Sequence, residues 1–144
     1  MKTKVFFLLI FMCSSMAATT SKDITVSVDE LPINTQSFIH TYFSDAEFSA
    51  IKKIPKNGIY QLKTTQGWVF TFGKDGKWID IDCMDERIPS PLIPSPILNK
   101  IAESYGTAVK VVKITTTRRG YYYVKLSNYI RLVFDKRYNQ LKYK

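Results

Sequence analysis

Residues 59–72 read IYQLKTTQGWVFTF and residues 121–134 read YYYVKLSNYIRLVF, 62 positions apart. Laid over each other, Tyr60-Gln61-Leu62 meets Tyr122-Tyr123-Val124. Trp68, Phe70 and Phe72 meet Ile130, Leu132 and Phe134. At the same offset Ile79 and Ile81 meet Leu141 and Tyr143. Apolar falls on apolar through three expected strands without a gap, which marks a unit of about 60 residues written twice. Each copy alternates at period two, as half-buried strands do. A doubled module of this size makes one continuous sheet, and such a sheet presents a surface.

Working outward, turn residues separate the strands. Pro55-Lys56-Asn57-Gly58 fixes φ at the proline and accepts φ > 0 at Asn-Gly. Thr65-Gln66-Gly67 and Gly73-Lys74-Asp75-Gly76 close the next two hairpins, and Arg118-Arg119-Gly120 is the counterpart of the first. The expected strands are 47–54, 59–64, 68–72 and 77–82, then 108–117, 121–127, 129–134 and 139–143. A short leading strand is expected over 23–28 (DITVSV).

A helix precedes each meander. Asp29-Glu30-Leu31-Pro32 opens the first, with Ile33, Phe38, Ile39, Tyr42 and Phe43 forming its apolar face. Residues 96–105 (PILNKIAESY) form the second, with Ile97, Leu98 and Ile101 apolar and Gly106 ending it. Residues 84–95 hold Pro89, Pro91 and Pro94 and read as an extended connector. The expected fold class is therefore α+β: a helix plus four-stranded antiparallel meander, twice, over 18–83 and 96–144, in one sheet with both helices on one face.

The first 17 residues read as a signal peptide. Lys2 and Lys4 make a basic start, an apolar run follows from Val5 to Met12, and Ser15-Met16-Ala17 supplies the small residues a signal peptidase reads. Cleavage is expected after Ala17. The run is too short to span a membrane, which takes roughly 20 residues. Lipidation at Cys13 would want a small residue before it, and Met12 is not small, so plain secretion or a periplasmic location is the expectation. Cys83 is then the one thiol left, with no partner for a disulfide and no sequence reason to meet His40, the one histidine.

Charge is unevenly placed. Residues 18–82 carry 7 Lys against 8 Asp and Glu, a net of −1, and residues 83–144 carry 12 Lys and Arg against 4 acids, a net of +8. Such asymmetry suits a polyanionic or acidic partner, although a solvated basic surface also explains it.

Strand alternation separates two faces. Tyr60, Leu62, Trp68, Phe70, Phe72, Ile79 and Ile81 should point at the helices, with Tyr122, Val124, Leu126, Ile130, Leu132, Phe134, Leu141 and Tyr143. Tyr121, Tyr123, Lys125, Tyr129, Arg131 and Lys142 should occupy the open face, together with Ile59, Gln61, Lys63, Val69, Thr71, Trp78 and Asp80. Tyrosine and arginine on an open sheet offer large contact area and directed hydrogen bonds. The same residues also have high strand propensity and pair across strands without any ligand. Trp78, Tyr121, Tyr123, Lys125, Tyr129 and Arg131 are the candidate partner-binding residues.

Catalytic signatures are missing from the sequence. There is no metal-spaced His/Cys/Asp cluster, no phosphate-cradling glycine loop and no GxSxG. Asp80 and Asp82 share a strand face, which reads as a solvated strand end ahead of acid–base chemistry or weak Ca²⁺ binding. Neither a cofactor nor a metal is expected. A basic aromatic sheet can bind nucleic acid, but the signal peptide argues against it.

The pattern Leu31-Pro32, Phe38-Ile39, Tyr42-Phe43, then Tyr60-x-Leu62, then Phe72-x-x-x-Gly76-x-Trp78-x-Asp80 resembles the PepSY-like family of secreted Bacteroidetes proteins, described as beta-lactamase-inhibitor-like. Two departures stand out: Gly73 occupies a place where that family has Asp, and the second half has Tyr138 and Gln140 in place of the turn glycine and the tryptophan. The resemblance implies tandem units sharing a curved antiparallel sheet, like that of beta-lactamase inhibitory protein, whose open face grips an enzyme. No inhibitory residue can be matched, so inhibition itself is not carried over. The expected function is a non-enzymatic secreted binding module for a protein partner, such as a secreted hydrolase or protease. The alternative is an envelope protein binding anionic glycan or lipid headgroups through the basic second half.

Overall fold

The structure, a computed structural model, describes residues 22–142. The expected signal peptide, Cys13, the cleavage after Ala17 and the inward placing of Tyr143 lie outside the described residues. Nine strands form one antiparallel sheet in strict chain order. They are β1 (Ile24–Thr25), β2 (Phe48–Ile54), β3 (Ile59–Thr64), β4 (Val69–Phe72), β5 (Trp78–Asp82), β6 (Val111–Thr116), β7 (Tyr122–Leu126), β8 (Arg131–Phe134) and β9 (Gln140–Leu141). Helix α1 (Ile33–Tyr42) lies between β1 and β2, and α2 (Ser95–Tyr105) between β5 and β6. The fold class is α+β, as the alternation predicts.

One core holds the inward side chains of the sheet and the buried sides of both helices. Leu62, Phe70, Phe72, Ile81, Ile114, Leu126 and Phe134 are fully buried in it. Phe43, just past α1, sits 4.4 Å from Phe70 between ring centroids, and Phe38 meets Phe72 edge-on at 5.2 Å. From α2, Ile97 and Ile101 join the same cluster. Ile33 departs from the expected helix face: it is 72% exposed, because at the first position of α1 it points away from the sheet.

The connector is more than a spacer. Ile88, Leu92 and Ile93 are buried in the core, and a 3₁₀ turn over Ser90–Leu92 folds the chain back beneath the sheet. Its prolines keep it out of the ladder while its aliphatic residues seal the gap between β5 and α2.

Three bulges adjust the register. One lies in β2 between Phe48 and Ala50 and one in β6 between Val111 and Lys113. In the third, Phe72 pairs with Trp78 while Thr71 pairs with Asp80, so Ile79 is the extra residue. Trp78 thereby stands opposite an inward phenylalanine and packs partly against the core, not freely on the open face where simple alternation puts it. Between β8 and β9 no such bulge occurs, and Val133 pairs with Leu141. A one-residue slip turns every later side chain over. Leu141, expected inward, therefore joins the open face and is 39% exposed.

Cys83 lies just past β5 and is 1% exposed. Burial first, then the nearby charges of Asp82 and Glu86, push its thiol up to about 12. The group stays protonated at neutral pH, so it should resist a thiol-specific chromogenic reagent in the native state and react at once in denaturant. The unfolded thiol ionises earlier, from its ordinary value of 9.0. Native stability should thus fall between about pH 9 and 12, and a Cys83→Ala variant should lose less over that window in urea melts at stepped pH.

Candidate functional site

The open face is organised in cross-strand rows, because directly paired residues point the same way. One row runs Lys63, Val69, Asp82, Lys113, Lys125, Arg131. The next runs Gln61, Thr71, Asp80, Thr115, Tyr123, Val133, Leu141. At the β5–β6 seam the acids are engaged. Lys113 Nζ lies 3.3 Å from Asp82 and 3.7 Å from Asp80, and the Thr115 hydroxyl donates to Asp80. Asp80 and Asp82 thus share one lysine and a hydroxyl across the β5–β6 seam, where the sequence reads first as a solvated strand end.

Past the seam the rows become basic and aromatic. Lys125 and Arg131 stand directly opposite each other, and no acid in the described residues forms a salt bridge with either. Like charges so placed oppose strand pairing. Lys125 Nζ is drawn over the Tyr129 ring, 5.8 Å from its centroid. Tyr123 is 45% exposed beside them; along its row Val133 is buried and Leu141 is 39% exposed.

Tyr129 is the unusual member. It sits in the turn between β7 and β8, 77% exposed, with φ of +68°. Its N–H donates to the Leu126 carbonyl, and the Asn128 side chain accepts from the N–H of Ile130. The turn between β3 and β4 closes with the same backbone hydrogen bond, with Gly67 at φ +93° in the corresponding place. A left-handed backbone costs a non-glycine residue about 1–2 kcal/mol. Tyr138, another positive-φ tyrosine (+64°), offsets that cost by packing its ring on Tyr122 at 5.7 Å. Tyr129 has no ring neighbour and little burial to offset it.

The six candidate residues do not form one cluster. Lys125, Tyr129 and Arg131 gather toward the 127–129 turn, with Tyr123 one row further along β7. Tyr121 lies toward the opposite end, where the turns 55–58, 73–77 and 117–120 converge, and lines a shallow hollow with Arg119, Lys136 and Arg137. Trp78 lies at that second end too, in a larger hollow beside Arg118. The lysines of that hollow have no distinguishing mark in the sequence, since turn lysines look like ordinary solvated charge. The turn between β8 and β9 explains the Gly73 departure. Asp135 there accepts from the N–H groups of Arg137 (2.8 Å) and Asn139 (2.9 Å), and its bonds to Asn139 hold its carboxyl below the usual range. In the first half Asp75 accepts from Lys77 N–H (3.1 Å) instead, and a Cβ at Gly73 would come within 2.9 Å of its Oδ1.

The residues thus build an open antiparallel sheet, backed by two helices and carrying a basic aromatic patch on its open face. The chain belongs to the family described as "Putative beta-lactamase-inhibitor-like, PepSY-like", whose model matches residues 16–73 and 58–142. It is similar to solved structures from Bacteroides. A "putative periplasmic protein" of the DUF2874 family from Bacteroides vulgatus is 29% identical, with a TM-score of 0.80, over 85% of this chain and 97% of that one. A "putative calcium-regulated periplasmic protein" from Bacteroides thetaiotaomicron is 31% identical, with a TM-score of 0.77, over 83% and 94%. A further "putative periplasmic protein of unknown function" from Bacteroides vulgatus is 30% identical, with a TM-score of 0.76, over 84% and 98%. No curated protein matches the chain.

Proposed function

We propose that this protein is a non-enzymatic, exported binding module that captures an acidic protein surface with the end of its open sheet face. Tyr123, Lys125, Tyr129 and Arg131 are its contact residues. The single observation that carries the reading is Tyr129, held in a strained backbone conformation with its ring in solvent. Strain of that kind persists where the rest of the fold over-determines it and a task needs the side chain there. The opposed Lys125 and Arg131 add a charge that an acidic partner would neutralise. The periplasmic description of the similar structures supports an exported location, in line with the signal peptide read from the sequence.

The same reading takes the chain as a doubled unit, 18–83 and 96–144, joined by 84–95. Its support is the recurrence of the β2 bulge in β6, with the one-residue change of offset taken up in the shorter Arg118-Arg119-Gly120 turn. The name of the Bacteroides thetaiotaomicron protein calls it calcium-regulated; in this chain the paired acids Asp80 and Asp82 are held by Lys113.

The test uses residues 18–144 as bait against native envelope and secreted fractions. Tyr129→Gly restores the residue type of the matching turn and should raise stability by up to about 1 kcal/mol while losing the captured protein. A Tyr129→Gly variant that folds and retains the same partner at equal yield would sink the proposal.

A further inference from the structure

The turn end of the sheet holds an open hollow of about 940 Å³, the upper range for a small-ligand site. Its floor is apolar: Ile59, Trp78 and Ile79. Its rim carries Lys56, Lys74, Lys77 and Arg118, contributed by three separate turns. All four are exposed, and none takes part in a salt bridge within the described residues. The remaining polar groups are mostly donors. Asn57 spends its side-chain oxygen on the Ile59 N–H, which leaves its amide N–H groups to face outward. Thr117 accepts from Tyr121 N–H and keeps its hydroxyl hydrogen to give. Asp75 is the one carboxylate at the rim, and its Oδ1 is occupied by the Lys77 N–H.

Four cations around an indole and two isoleucines call for a ligand that is flat, acceptor-rich and repeatedly anionic. We infer that this hollow binds an acidic saccharide, a carboxylated or sulfated sugar chain whose ring face lies on Trp78 and whose anionic groups meet Lys56, Lys74, Lys77 and Arg118. An acidic peptide matches the charge but offers no flat apolar face to the indole. A neutral sugar matches the indole but leaves the four cations unanswered. The hollow lies at the opposite end of the sheet from Tyr129, so this site and the protein-binding patch stand or fall separately.

The experiment is calorimetric titration of residues 18–144 with polygalacturonate oligomers, sulfated dextran, neutral dextran and polyglutamate, with indole fluorescence as a second readout. Binding of one acidic saccharide, weakened by salt and by about tenfold or more in Lys74→Glu/Arg118→Glu, is the expected result. The charge-matched variant Lys63→Glu/Arg87→Glu, outside the hollow, should retain it, and so should Tyr129→Gly. All the substituted side chains of the two double variants are exposed, so folding is not at issue. The proposal is overturned by no binding of either acidic saccharide, by equal binding of neutral dextran, or by tighter binding of polyglutamate. Equal weakening in the charge-matched control also overturns it, since net charge alone would then explain the effect.

Discussion

Phe70→Ala should lower the unfolding free energy by about 3–5 kcal/mol, the usual range for deleting a buried phenylalanine. Phe70 is fully buried in mid-sheet, paired with Leu62 on one side and Ile81 on the other. The Phe43 ring covers it at 4.4 Å and Trp68 flanks it at 6.5 Å. Its surroundings are ladder backbone and the end of α1, neither of which can collapse into the space left behind. The loss is a large share of the roughly 5–15 kcal/mol that holds a domain of this size together. Urea melts with an unchanged slope would read it directly. Leu141→Ala is the contrast: with its side chain on the open face it should cost about 0.5 kcal/mol or less. A large loss at Leu141 would mean that β9 pairs in the other register.

Gly76→Ala should cost about 3 kcal/mol, far more than one methyl group suggests. Gly76 has φ of +80°, and a Cβ there would stand 2.9 Å from Pro32 Cβ and 3.0 Å from Asn34 Cβ. The turn is pressed onto the start of α1, where Asn34 donates to the Asp75 carbonyl and the buried Thr35 hydroxyl to that of Gly76. Two penalties add: about 1–2 kcal/mol for the left-handed backbone and about 1–3 kcal/mol for overpacking. Gly67→Ala separates them. Gly67 shares the positive φ, but nothing lies within 4 Å of its added Cβ, so only the conformational part remains. If both variants melt together, the turn does not bear on α1 as described.

Much of the fold is legible in the chain. Alternation at period two places the inward set correctly through β3, β4, β7 and most of β8, since those strands run without bulges. The errors cluster where backbone geometry adds or withholds a residue. Trp78 is drawn partly against the core because Ile79 is bulged, while still lining the turn-end hollow, and Leu141 turns outward because its hairpin lacks that bulge; neither event has a composition signal. Tyr129 draws attention in the sequence for its ring, yet the stronger clue is its alignment with Gly67. A tyrosine written where the matching turn has glycine signals positive φ from the residues alone. The lysines of the turn-end hollow escape notice for another reason: they belong to separate turns that only the assembled sheet brings together.

Strict chain order has a consequence for how the molecule comes into being. Each strand pairs only with its neighbours in the sequence, and the longest detours are the two helical crossovers. A chain delivered from its N-terminus, by a ribosome or through a membrane pore, therefore never has to hold an early strand open for a late one. Every segment meets its partner as soon as the next one emerges, and the growing edge is the only strand still waiting for a partner. Vectorial delivery suits such a topology, because loop closure stays short at each step and little apolar surface is left waiting.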